Sequence, residues 1–113
     1  MKLRLTDNSV RLRLSRSEVD QFLETGLIEE TIEFPNTPLV YMLHASSQCR
    51  QIQAAFVNGW ITVTVPENLG RDWAAGDQVA MRAADSNLSI LIEKDWQCLH
   101  ASKEENEDAF PRP

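Results

Sequence analysis

A chain of 113 residues with 42% hydrophobic and 25% charged content has enough apolar material for one domain with its own core. Its formal net charge of −6 argues against a non-specific nucleic-acid binder, whose electrostatic footprint is basic overall, while leaving room for a local basic pocket. No apolar run reaches membrane-spanning length, the opening Met1-Lys2-Leu3-Arg4-Leu5 lacks the form of a signal peptide, and Cys49 and Cys98 form no CxxC pair, so the expectation is a cytoplasmic protein with reduced thiols and no membrane association.

The first element is the stretch KLRLTDNSVRLRL, residues 2–14. With Asp7-Asn8 at the centre of a two-residue turn, where both residue types tolerate positive φ, Leu5 faces Val10, Arg4 faces Arg11, Leu3 faces Leu12 and Lys2 faces Arg13. Side chains alternate with period two, so the hairpin has one aliphatic face and one face of four cations. Like charges directly opposite each other destabilise a strand pair by a few tenths to about 1 kcal/mol, so Lys2, Arg4, Arg11 and Arg13 call for an acidic or anionic complement.

Ser15-Arg16-Ser17-Glu18 has the spacing of a capping box and opens a short helix over about residues 16–25, carrying Val19, Phe22 and Leu23 on one side and ended by Gly26. Residues 27–34 and 39–45 read as strands separated by the two prolines of PNTP. Ile32, Phe34, Leu39 and Tyr41 share one face. Glu29, Thr31, Glu33, Val40, Met42 and His44 share the other, which makes Glu29 and His44 candidate cross-strand neighbours. Residues 51–57 and 60–65 flank Asn58-Gly59, the preferred type I′ turn, with Ile52, Ala54, Phe56, Ile61, Val63 and Val65 on the core side. Pro66 fits the first turn of a second helix bearing Leu69 and Trp73, and Gly76 ends it. A last hairpin puts Val79, Met81, Ala83, Leu88, Ile90 and Ile92 inward, with Arg82, Ser89 and Glu93 on the reverse face.

Both halves thus run hairpin, helix, glycine, hairpin, with Asn8 to Asn58 and Gly26 to Gly76 each 50 residues apart. The expected fold is α+β: about eight mostly antiparallel strands with two short helices, in a duplicated arrangement that either closes into a barrel or stays open. Residues 1–100 form the single domain, with pseudo-repeats over about 1–46 and 50–94. Residues 101–113 form an acidic tail whose Phe110 either docks back or belongs to an exposed peptide.

NSVRLRLSRSEVDQFLETG near the start, VPENLGRDWAAGDQV in the middle, and IEKDWQCLH with DAFPRP at the end together resemble a family of short, uncharacterised bacterial proteins with no established activity. The eight-strand duplication is also similar, at the level of fold, to the triphosphate-tunnel (CYTH-like) domains. That resemblance implies a channel lined by basic and acidic side chains, with metal held by an E-x-E-x-K strand. The corresponding strand here is Lys2-Leu3-Arg4-Leu5, without those glutamates.

The candidate site is therefore an anion-binding set of Lys2, Arg4, Arg11, Arg13 and Arg82, since guanidinium groups suit bidentate phosphate or carboxylate recognition. Glu29, Glu33 and Glu93 are the candidate acidic complement, either neutralising those cations within the protein or completing a metal–phosphate site. His44 with Glu29 could orient a proton, but a lone strand histidine is more often structural. Cys98 and His100, two apart on one strand face, could contribute two metal ligands, but a zinc site needs about four and the only other Cys and His are Cys49 and His44, whose convergence nothing in the sequence supports; Trp60, Trp73 and Trp96 read as core or edge aromatics. No catalytic motif is present, so no catalytic residue, metal or cofactor is assigned. The expectation is a non-enzymatic binding or accessory protein whose basic hairpin face takes an anionic small molecule or an acidic partner surface. The alternatives are a metal-dependent phosphohydrolase of organic phosphates or polyphosphate, and a structural interaction module acting through the tail.

Overall fold

Asp7 and Asn8 take φ of +49° and +58°, the backbone that a type I′ turn demands. They join β1 (Lys2–Thr6) to β2 (Ser9–Leu14) with Leu5 opposite Val10, Arg4 opposite Arg11, Leu3 opposite Leu12 and Lys2 opposite Arg13, as the sequence predicts. α1 (Arg16–Thr25) follows at once: the Ser15 hydroxyl accepts the Glu18 N–H while the Glu18 carboxylate accepts the Ser15 N–H. Gly26, at φ +77°, ends the helix and donates its N–H to the Phe22 carbonyl, a left-handed conformation that costs any side-chain-bearing residue more than glycine. Then come β3 (Leu27–Glu33), β4 (Pro38–Ser46), β5 (Gln53–Val57) and β6 (Trp60–Pro66), the last two around Asn58 and Gly59 at φ +52° and +85°. Pro66 is the N-cap of α2 (Glu67–Ala75), and β7 (Ala80–Asp85) and β8 (Leu88–Lys94) complete the order. This computed structural model describes residues 1–95. The expectations for Trp96, Cys98, His100, Phe110 and the acidic tail fall outside the described residues.

The strands form two four-stranded sheets rather than a barrel, with orders β1-β2-β8-β7 and β3-β4-β6-β5. The four hairpins are antiparallel, but each sheet is joined at its centre by a parallel pair, β2 with β8 and β4 with β6. Each sheet therefore combines the first hairpin of one half with the second hairpin of the other, and the two halves interlock. Layering satisfies the need to bury the inner faces, so closure is not required. Leu12 and Leu14 on β2 and Val63 and Val65 on β6 are fully buried, as are Leu43 on β4 and Ile92 on β8.

The two helices meet inside this core. Phe22 and Trp73 make an edge-to-face contact with ring centroids 6.1 Å apart. Gly70 lets them approach, since a Cβ there would lie 3.0 Å from Val65 Cγ2 and 3.2 Å from the Phe22 ring. Some side chains expected on the core face have the right direction but too little cover. Ile32, Phe34 and Phe56 stand near the hairpin ends and are exposed, and Val79 precedes β7 and is exposed. Glu29 and His44 are not directly opposed either: Glu29 faces Met42 and His44 faces Leu27. No helix among the described residues is long and apolar enough to cross a membrane.

Met1 anchors the first sheet to the second. Its ammonium pairs with Glu18, and with Glu30 at 2.8 Å, while the Tyr41 hydroxyl donates to the Met1 carbonyl at 2.6 Å. Burial alone would lower the ammonium pKa, but the hydrogen bonds and charges of Glu18 and Glu30 outweigh it and raise the pKa above the ordinary 8.0. Burial alone would raise Glu18, but the ammonium and the Ser15 N–H hold it below the ordinary 4.5. The raised ammonium contributes stability in full below about pH 8 and loses it as pH rises through its folded-state pKa. The lowered Glu18 contributes above about pH 4.5 and loses it as pH falls through its folded-state pKa. Glu18→Gln, which keeps an oxygen for the helix cap, is expected to reduce stability most between those limits. Melting curves across pH should show its gap from the wild type narrowing at both ends, and a gap independent of pH would contradict the ion pair.

Candidate functional site

The first sheet decides which way each cation points. On β2, Val10, Leu12 and Leu14 are buried, so Ser9, Arg11 and Arg13 face outward; on β8, Ile90 and Ile92 are buried and Ser89, Leu91 and Glu93 face outward. The parallel register then sets Ser9 beside Ser89, Arg11 beside Leu91 and Arg13 beside Glu93. β1 adds Arg4 next to Arg11 and Lys2 next to Arg13, and β7 adds Arg82 next to Leu91. One row across the four strands reads Arg4, Arg11, Leu91, Arg82. The row on the turn side reads Thr6, Ser9, Ser89, Ala84, and the row on the other side reads Lys2, Arg13, Glu93, Ala80. All five cations singled out in the sequence therefore share this outer face.

Of the acids, only Glu93 joins them. Arg13 Nε donates to Glu93 Oε2 at 3.1 Å, and Arg11 Nε lies 3.4 Å from the same oxygen. Lys2 Nζ lies 3.9 Å from Asp95 Oδ2 at the margin of the sheet. Arg4 and Arg82 have no ion-pair partner among the described residues. Glu29 and Glu33 stand on β3 in the second sheet, on its outward side, and His44 is on that side too. The half-buried Cys49 thiol donates to the Gln51 carbonyl, away from the arginines. No group of three His, Cys, Asp or Glu among the described residues could hold a metal ion.

The arginine row borders a groove of about 410 Å³ that also takes in Thr6, Ser9, Ser89 and Leu91. Ser89 was already placed with Arg82 and Glu93 by the alternation of β8. Thr6 and Ser9 are legible as part of the site only once the first hairpin is known to face outward. The Ser9 hydroxyl donates to the Thr6 carbonyl at 2.5 Å and keeps its acceptor lone pairs.

The duplicated architecture supplies an internal control. The equivalent outward positions of the second sheet read Val57, Trp60, Val40, Thr31, then Ala55, Thr62, Met42, Glu29, then Gln53, Thr64, His44, Leu27. The same register is built there without one lysine or arginine. Packing of this fold therefore does not require a cationic outer face. No curated protein and no solved structure matches the chain. The chain belongs to a family of unknown function, DUF7009, whose profile spans residues 1–113.

Proposed function

We propose that the protein is a small binding or accessory protein whose outer arginine face takes an anionic ligand or the acidic surface of a partner. The observation that carries this reading is the segregation of charge. Residues 1–95 contain nine Lys and Arg and thirteen Asp and Glu, yet the outer face of the first sheet carries five of those cations and, on its strands, only Glu93. A solvated face in a chain of net negative charge needs no such concentration, and two directly opposed pairs of like charge oppose folding. Glu93 at Arg11 and Arg13, and Asp95 at Lys2, offset part of that cost. A ligand phosphate or carboxylate would supply the missing counter-charge through charge-assisted, bidentate hydrogen bonds.

A metal-dependent phosphohydrolase would need at least two carboxylates converging on the arginines. Among the described residues only Glu93 engages the arginines of the row, so the geometry favours binding over hydrolysis. The test is a thermal-shift panel of phosphate, nucleotides and polyphosphate, with and without magnesium or manganese. A ligand at a hundred times its Kd stabilises by about 2.7 kcal/mol, several degrees for a domain of this size. Stabilisation by anions is expected in the wild type and is expected to vanish in Arg4→Ala/Arg82→Ala. The reading fails if neither these anions nor an acidic peptide shifts the transition.

A further inference from the structure

The two cations of the row without an ion-pair partner among the described residues, Arg4 and Arg82, stand at its opposite ends, on the edge strands β1 and β7. Between them, Arg11 is engaged by Glu93, and Leu91 interrupts the charge. Three strand spacings of about 4.8 Å separate the ends by about 14 Å. A single phosphate placed on one end leaves the other unanswered. A chain charged at every unit, such as polyphosphate, would lay anionic oxygens over Leu91 with no donor beneath them. The groove is lined from all four strands, β1 through β7, which suits a chain passing across the sheet from edge to edge.

We infer that the ligand of this face is an extended acidic peptide of a partner protein, lying across the strands with one carboxylate at Arg4, another at Arg82 and an apolar side chain between them over Leu91. The inference rests on the anion-binding reading above and narrows it to one class. In an extended peptide, residues i, i+2 and i+4 point to the same side, and i and i+4 are about 13 Å apart. That matches the span of the row. The hydroxyls of Thr6, Ser9 and Ser89, one row away, are placed to meet the peptide's own backbone groups. Recognition would read spacing as well as charge, because two weak carboxylate contacts on one chain reinforce each other only if both can be made at once.

The experiment is calorimetric titration of the full chain with the end-blocked peptide Glu-Ala-Leu-Ala-Glu, with the two peptides in which one Glu is replaced by Gln, and with tripolyphosphate. The two-carboxylate peptide should bind at least about tenfold more tightly than either one-carboxylate peptide. That advantage should disappear in Arg4→Ala and equally in Arg82→Ala. Both side chains are exposed, so unchanged circular dichroism and melting temperature should confirm that each variant folds. Equal affinity for the one- and two-carboxylate peptides would overturn the inference. Binding of tripolyphosphate without any peptide would overturn it while leaving the anion face in place. Binding of none of these probes would overturn both readings.

Discussion

Trp73→Ala is expected to lower the free energy of unfolding by about 3–5 kcal/mol, the range for removing a fully buried large aromatic. Trp73 is the largest of the fully buried side chains, and it serves three elements. Its ring edge-packs with Phe22 of α1, its Nε1–H donates to the Val79 carbonyl at 3.1 Å just before β7, and Lys94 of β8 places its ammonium 5.5 Å from the ring centroid. Alanine removes all of these and leaves a cavity where the two interlocked halves meet. Trp73→Phe, which keeps much of the ring but loses the Nε1–H bond to a Val79 carbonyl that still accepts the Lys94 N–H at 2.9 Å, should cost about 0.5–1.5 kcal/mol. Urea denaturation of both variants measures the difference. A loss below about 1 kcal/mol for Trp73→Ala would show that the helix–helix contact is not where the core is held.

Glu93→Gln is expected to tighten binding of tripolyphosphate or an acidic peptide by about tenfold, because Glu93 is the protein's own occupant of the arginine face. Its carboxylate is 15% exposed and engages Arg11 and Arg13 together. Each partly exposed pair is worth up to about 1 kcal/mol, so releasing both guanidinium groups to a ligand amounts to about one decade of affinity. The same change should destabilise the free protein by about 1 kcal/mol, since Arg11 and Arg13 lose the carboxylate that offsets their repulsion with the opposed Arg4 and Lys2. Affinity and stability are thus expected to move in opposite directions, as they do where a binding face is held ready at a cost to the fold. Calorimetry of wild type and variant checks it. Weaker binding in Glu93→Gln would instead make Glu93 a positioning residue that aims Arg11 at the ligand.

Much of the local structure is readable from the chain because it depends on neighbours a few residues away. Asp7-Asn8 and Asn58-Gly59 set both turns and hence both registers, and Ser15 with Glu18 set the start of α1, each through backbone conformations and hydrogen bonds confined to a handful of residues. The common face of Lys2, Arg4, Arg11 and Arg13 follows from period-two alternation alone. The acidic partner of that face did not follow. Glu29, Glu33 and Glu93 have equivalent patterns along their own strands, and nothing local distinguishes the one that meets an arginine. The ammonium of Met1 between Glu18 and Glu30 is hidden for the same reason, as it joins one terminus to a helix and a strand of the other sheet.

The hairpins, the two helices and the two-sided character of each strand are short-range consequences of alternation, turn chemistry and capping, and so are written in the chain. Long-range packing sets the first hairpin in parallel with β8 rather than with the second hairpin of its own half. A parallel pairing across some eighty positions, such as Ser9 with Ser89, leaves no local trace, because any apolar strand face of suitable length can compete for it. That one choice made two open sheets in place of a barrel, turned the basic side outward, and brought Arg82 and Glu93 into the row begun by Arg4 and Arg11.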